Sequence, residues 1–129
     1  MILAEITACF PSISDWEDSY LADRGQRLLG NIPGFKAEII LGDKIRSIGI
    51  FFDNIDPKSL SEILSALNLI TADVKESLDF LETGSAFVVG NPNMPYQRKY
   101  QDYSAKISRI QAIDAATYFL SIQANADLQ

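Results

Sequence analysis

Two constellations in the sequence have residue types and spacing that could do chemistry. In NPNMPYQRKYQDY, residues 91–103, Tyr96, Tyr100 and Tyr103 are interleaved with Arg98 and Lys99. Rings among bases can stack on nucleotides, line a groove for a partner, or pack into a core. The second constellation is acidic. Asp73, Glu76, Asp79 and Glu82 recur every third residue and surround Phe80. An aromatic ring rimmed by carboxylates has the form of a binding hot spot, in which the ring supplies burial and the acids speed association with a basic surface.

Much other chemistry is excluded by composition. The chain has no histidine, which removes the commonest general base, metal ligand and activator of Ser or Cys nucleophiles. No catalytic residue, metal site or cofactor is therefore expected. The single cysteine, Cys9, rules out an internal disulfide; with no base nearby in sequence it reads as a small packing residue. Asp53 and Asp56 could offer oxygen ligands to a hard cation, but Asp56 is better placed to cap a helix and Asp53 to end a strand. TGSAFVVGNPN lacks the GK[ST] ending of a phosphate loop.

The net charge of −6 comes from 17 acids and 11 bases. Residues 1–23 hold five acids and no base, and residues 53–83 sum to −5, whereas 24–52 and 84–111 each sum to +3. Binders of a phosphate backbone need the opposite overall field, so nucleic acid is not the expected partner. Residues 2–10 lack both the basic lead and the unbroken apolar run of a signal peptide, and no stretch is long enough to span a membrane. A cytoplasmic, single-domain protein over residues 1–129 is the expectation.

The elements that must position these groups follow from periodicity. Ile2, Ala4, Ile6, Ala8 and Phe10 alternate, which predicts a strand ended by Pro11. Ser14 and Glu17 form a capping-box pattern, predicting a helix to about Asn31 with Trp16, Tyr20, Leu21, Leu28, Leu29 and Ile32 on one stripe. Gly25 on that stripe would admit another backbone. FKAEIILGDKIRSIGIFF predicts a hairpin. With Gly42 and Asp43 as a two-residue turn, Leu41 faces Lys44, Ile39 faces Arg46, Ala37 faces Ile48 and Phe35 faces Ile50. Phe35, Ala37, Ile39, Leu41, Ile48, Ile50 and Phe52 then share one face.

Asp56 and Pro57 predict the start of a helix carrying Leu60, Ile63, Leu64 and Leu67. A short helix from Thr71 to Gly84 and a buried strand in SAFVVG follow. From Tyr96 to Gln129 there is no Gly or Pro, and Tyr96, Tyr100, Tyr103, Ile107 and Ile110 keep a 4-3-4-3 spacing, which predicts a long C-terminal helix with a tyrosine seam. The resulting order, β-α-β-β-α-α-β plus that helix, is an α+β arrangement that resembles the split βαβ order of ferredoxin-like folds. The resemblance is architectural and implies no function.

Within this frame Asp15, Glu17, Asp18, Asp73 and Glu76 sit in first helical turns, where the helix dipole favours carboxylates. Asp79 and Glu82 fall toward the end of their predicted helix, where the dipole opposes them, so they are the acids left for a partner. The expected function is a small, non-enzymatic protein that neutralises or accompanies a basic partner, as an immunity protein, a toxin inhibitor or a dedicated chaperone does. Asp73, Glu76, Asp79, Phe80 and Glu82 would form its contact face. The alternative is a small-molecule or enzymatic module with a tyrosine-lined pocket between sheet and helices. A third reading joins copies of the chain through the Tyr96–Ile110 seam.

Overall fold

Strands dominate the molecule. The computed structural model describes residues 2–22, 25–111 and 116–125, which form α1 (Ile2–Ala8), β1 (Trp16–Leu21), β2 (Gly25–Ile32), β3 (Phe35–Leu41), β4 (Ile45–Phe52), α2 (Pro57–Thr71), α3 (Val74–Gly90), β5 (Tyr96–Lys99), β6 (Tyr103–Gln111) and β7 (Ala116–Ala124). The strands build a seven-stranded sheet in the order β1-β2-β3-β4-β7-β6-β5, antiparallel throughout. This overturns the predicted ferredoxin-like order. The described residues contain no long C-terminal helix; the expected continuation through 112–115 and 126–129, and the side chain of Ile2, lie outside them.

The sheet halves are two meanders, β1–β4 and β5–β7, joined where β4 pairs with β7. One face is apolar. Leu28, Ala37, Ile39, Ile48, Ile50, Phe52, Leu120, Ile122, Ala105 and Ile107 point to it and pack with Ile6, Phe10, Ile63, Leu67, Phe80, Leu81 and Val88 from the helical side. The opposite face alternates to Arg27, Lys36, Glu38, Ser47, Phe51, Phe119 and Lys106, and no described helix covers it. There Phe51 and Phe119 stack at 4.4 Å, and Arg27 pairs with Glu38 at 2.7 Å.

The central hairpin is as predicted in its face but not in its register. Ile39 pairs with Ile48, Ala37 with Ile50 and Phe35 with Phe52, two residues beyond the expected partners, with an irregularity at Ile40/Leu41. A shift of two keeps every side chain on its face, so hydrophobic patterning alone could not detect it. The β2–β3 turn is Pro33-Gly34, with Gly34 at φ +78°, the geometry of a type II turn.

Four other elements differ from expectation. Residues 2–8 are a helix, where alternate residues fall on opposite sides: Ile6 is buried while Ala4 and Ala8 are exposed, so the predicted alternating face does not form, and Phe10 is buried beyond the helix end. The predicted helix at 14–31 is the β1–β2 hairpin. Gly25 does admit a backbone, since a Cβ there would run into the Leu41 carbonyl, but across two strands. The helix expected to stop at Gly84 runs on to Gly90 and absorbs the SAFVVG strand. Gly84 is where α3 presses on the sheet: a Cβ there would meet Ile107 Cγ2 at 2.8 Å and Tyr96 Cδ2 at 3.0 Å. The tyrosine seam is a hairpin. Tyr96 faces Ile107, and the Tyr100 amide donates to the Tyr103 carbonyl at 2.7 Å, so residues that a helix would stack in successive turns meet instead across two strands.

Local signals explain the helical pair. Asp56 accepts from the Ser59 amide at 2.8 Å with Pro57 at the first helical position, as expected. Ala72 closes α2 in the left-handed region at φ 57°, and Asp73 opens α3 by accepting from the Glu76 amide at 3.1 Å. This short connection folds the two helices side by side. Glu62 ties the chain before β1 to α2, accepting from the Ser12 amide at 2.8 Å and hydroxyl at 2.7 Å.

Candidate functional site

α3 carries the acidic constellation, and its length changes the meaning of each acid. Asp79 and Glu82 lie in the middle of Val74–Gly90, so the helix dipole no longer singles them out. Asp73 is the N-cap. Phe80 is fully buried, at 0% exposure, so its ring offers no surface to a partner. The wide apolar face of α3 accounts for this: Ser77, Phe80, Leu81, Gly84, Ser85 and Val88 are all buried, because the helix touches both the sheet and α2.

The cation expected from a partner is partly supplied from within. Arg98 of β5 donates to Asp79 Oδ2 at 2.7 Å and to the Tyr96 hydroxyl at 2.6 Å, and lies 3.9 Å from Glu76 Oε2. Its guanidinium carbon stands 5.7 Å from the Tyr96 ring centre and 6.0 Å from that of Phe80. The bond to Asp79 raises the pKa of Arg98 still further, against a smaller opposing effect of burial, so the group stays charged. Tyr96 also packs on Phe87 at 5.7 Å. Thus Asp79, Glu76, Phe80, Tyr96 and Arg98 come together, as one tie between α3 and the end of the sheet.

Glu82 is not part of that tie. It has no ion pair or hydrogen bond among the described residues and borders a groove between α2 and α3 lined by Pro57, Leu60, Leu64, Leu78 and Leu81, with a volume of about 510 Å³. That groove had no counterpart in the sequence reading. The spacing of Leu60 with Leu64 and of Val74 with Leu78 carried the signal, but only side-by-side packing of the two helices makes it a groove.

The tyrosines separate. Tyr103 lines a cavity of about 210 Å³ with Glu5, Lys44, Ile45, Leu69 and Ile70, where its hydroxyl donates to the Ile45 carbonyl at 3.2 Å. Burial, with Asp102 nearby, raises its pKa. Tyr96 and Tyr100 do not line this cavity. Tyr100 sits at the β5–β6 turn, and burial raises its pKa against the opposing charge of Arg98. Burial and then Glu5 raise the pKa of Cys9, which disfavours a reactive thiolate. Among the described residues no three His, Cys, Asp or Glu side chains gather as metal ligands, and no helix is long and apolar enough to cross a membrane.

Compared with known proteins, the chain matches no protein-family model, no curated protein and no solved structure. The site must be read from its own geometry.

Proposed function

We propose that the chain is a cytoplasmic, non-enzymatic protein-binding module that takes a basic partner on its helical side, in the manner of an immunity protein, a toxin inhibitor or a dedicated chaperone. The observation that carries this is the segregation of charge. Residues 56–90, which make up α2 and α3 with their caps, hold six acids and two bases, a net −4, which Arg98 and Arg109, bonded to α3 from the sheet, reduce to −2. The open sheet face carries Arg27, Lys36, Lys99 and Lys106 against Glu17 and Glu38, a net +2. A field divided in this way orients an approaching basic surface toward the helices and speeds its association.

The test is to immobilise the chain, recover proteins that bind it from extract of its native host, and measure association against ionic strength. A basic partner whose association rate falls steeply as salt shortens the screening length is expected. An acidic partner, or a rate indifferent to salt, would refute the reading.

A small-molecule module is the second reading, and the Tyr103 cavity favours it. Its chemistry, Glu5 and Lys44 over an apolar floor, suits a small ligand bearing both charges. A ligand-induced change in tyrosine fluorescence that disappears in Tyr103→Phe would support this reading over the first.

A further inference from the structure

α3 exposes more apolar surface than a solvated helix needs. At about 100° per residue, Val74, Leu78 and Val89 fall within roughly 60° of one another on its outer side. Their exposures are 60%, 41% and 51%, and they are three of the six large hydrophobics most exposed among the described residues. Such a stripe marks an interaction surface when it is continuous with a depression. Here it is: Leu78 forms one wall of the α2–α3 groove, Leu60 and Leu64 form the other, and buried Leu81 forms the floor.

Charge then decides what fits. Glu82 is the groove's single charged lining residue and lies along the same stripe as Leu78, one turn on. Asp79, three residues before it, is neutralised by Arg98, but Glu82 is not neutralised by any described residue. An apolar partner surface would desolvate this carboxylate without compensation, whereas one cation among apolar side chains would pair with it. A second copy of the chain is a poor occupant. Pairing of like faces would bring together two helical layers that each remain net acidic with Arg98 and Arg109 counted. The groove also offers no free strand edge, so an added strand would gain no ladder, whereas two adjacent helices present the ridges that a third helix can mesh with.

We infer that the α2–α3 groove docks an amphipathic helix of the partner, with aliphatic side chains at helical spacing and one Lys or Arg among them that meets Glu82. This rests on the basic-partner reading above and specifies where and how that partner is held.

The test uses the full chain, isotopically labelled for NMR, and three peptides of about 18 residues, roughly five helical turns. One carries Leu at helical spacing with Lys elsewhere, the second has the same Leu positions with Glu elsewhere, and the third is the Lys peptide with its Leu positions scrambled. Saturable one-to-one binding of the first alone is expected, with shifts centred on Leu60, Leu64, Leu78 and Glu82. Leu78→Asp should weaken it at least about tenfold, and Glu82→Lys should transfer preference to the Glu peptide. Both side chains are exposed, and thermal melts would verify that the variants remain folded. Equal binding of helical and scrambled Lys peptides, or shifts elsewhere on the helical layer, would overturn the groove assignment and leave the basic-partner reading standing. No preference for Lys over Glu peptides anywhere on the protein would count against that reading itself. Self-association without peptide, lost in Leu78→Asp, would assign the groove to a second copy and overturn the inference.

Discussion

The turn between β3 and β4 is closed by its own residues, with the Gly42 amide donating to the Lys44 carbonyl at 2.9 Å. The turn between β5 and β6 has a bond of its own, from the Tyr100 amide to the Tyr103 carbonyl at 2.7 Å, and is held from outside as well. Asn125, just past β7, donates from its side chain to the carbonyls of Tyr100 at 3.1 Å and Gln101 at 3.0 Å, and from its backbone to that of Asp102 at 2.9 Å. Its side-chain oxygen accepts from the Ser104 hydroxyl at 2.7 Å. Both hairpins bury one face under helices, yet the first has its turn contacts in place once two strands meet, while the second adds to its own backbone bond a set of contacts that forms only when a third strand arrives.

Four sets of substitutions would break or sharpen that contrast. The largest effect should be the one the hairpins share: Ile48→Ala and Ile107→Ala each remove a fully buried side chain and should cost about 2–5 kcal/mol in urea titrations, whereas Ser47→Ala on the open face should be nearly neutral. A cost for Ile107 well below that for Ile48 would mean that β5–β6 is an accessory to the core. The turns should then diverge. Asn125→Ala leaves turn carbonyls without donors and should cost about 1–3 kcal/mol, with faster amide exchange in β5 and β6. Gly42→Ala should stay within about 0.5 kcal/mol, since a Cβ there meets only the movable end of Arg46. Comparable losses at both positions would erase the distinction.

A smaller effect is expected at the tie between β5 and α3. Asp79→Asn should cost about 0.2–1 kcal/mol, because its pair with Arg98 is partly exposed, and Glu82→Gln should leave the melting temperature unchanged. A loss from Glu82→Gln equal to that from Asp79→Asn would show that Glu82 is structural, contrary to its place in the groove. The smallest change should come from Tyr100→Phe. The Tyr100 hydroxyl is buried, and among the described residues it meets the Arg98 charge without a hydrogen bond of good geometry, so removing it should be close to neutral in thermal melts.

Legibility from sequence followed the same line. The face of the β3–β4 hairpin and the start of α2 at Asp56 and Pro57 were readable because alternation, cap and proline lie within a few residues of what they specify. The β5–β6 turn was not, because Asn125 does the work that Gly, Pro or Asn does in a self-contained turn; without them, the 4-3-4-3 spacing looked helical. Pro33-Gly34 is a local signal for the β2–β3 turn, but it would end a helix equally well and so does not reveal the strand before it. At the candidate site, the sequence places the acids and the aromatic together on one helix, but their surroundings depend on Arg98 and on where that helix ends. Gly84, read as a stop, is instead a point of contact with Ile107 and Tyr96, and that contact lies across the fold.

The pairing of β4 with β7 sets an order in time. The two strands are neighbours in the sheet but are separated in the chain by α2, α3, β5 and β6. A chain emerging during synthesis can complete the β1–β4 meander and lay helices over it while β4 still presents an unpaired edge. Such a non-local closure slows folding and leaves the edge open to other strands until β7 arrives. Truncation before Ala116 should therefore yield a species with the first meander formed and a tendency to assemble through β4, so the vulnerable interval of this protein runs from the emergence of β4 to that of β7.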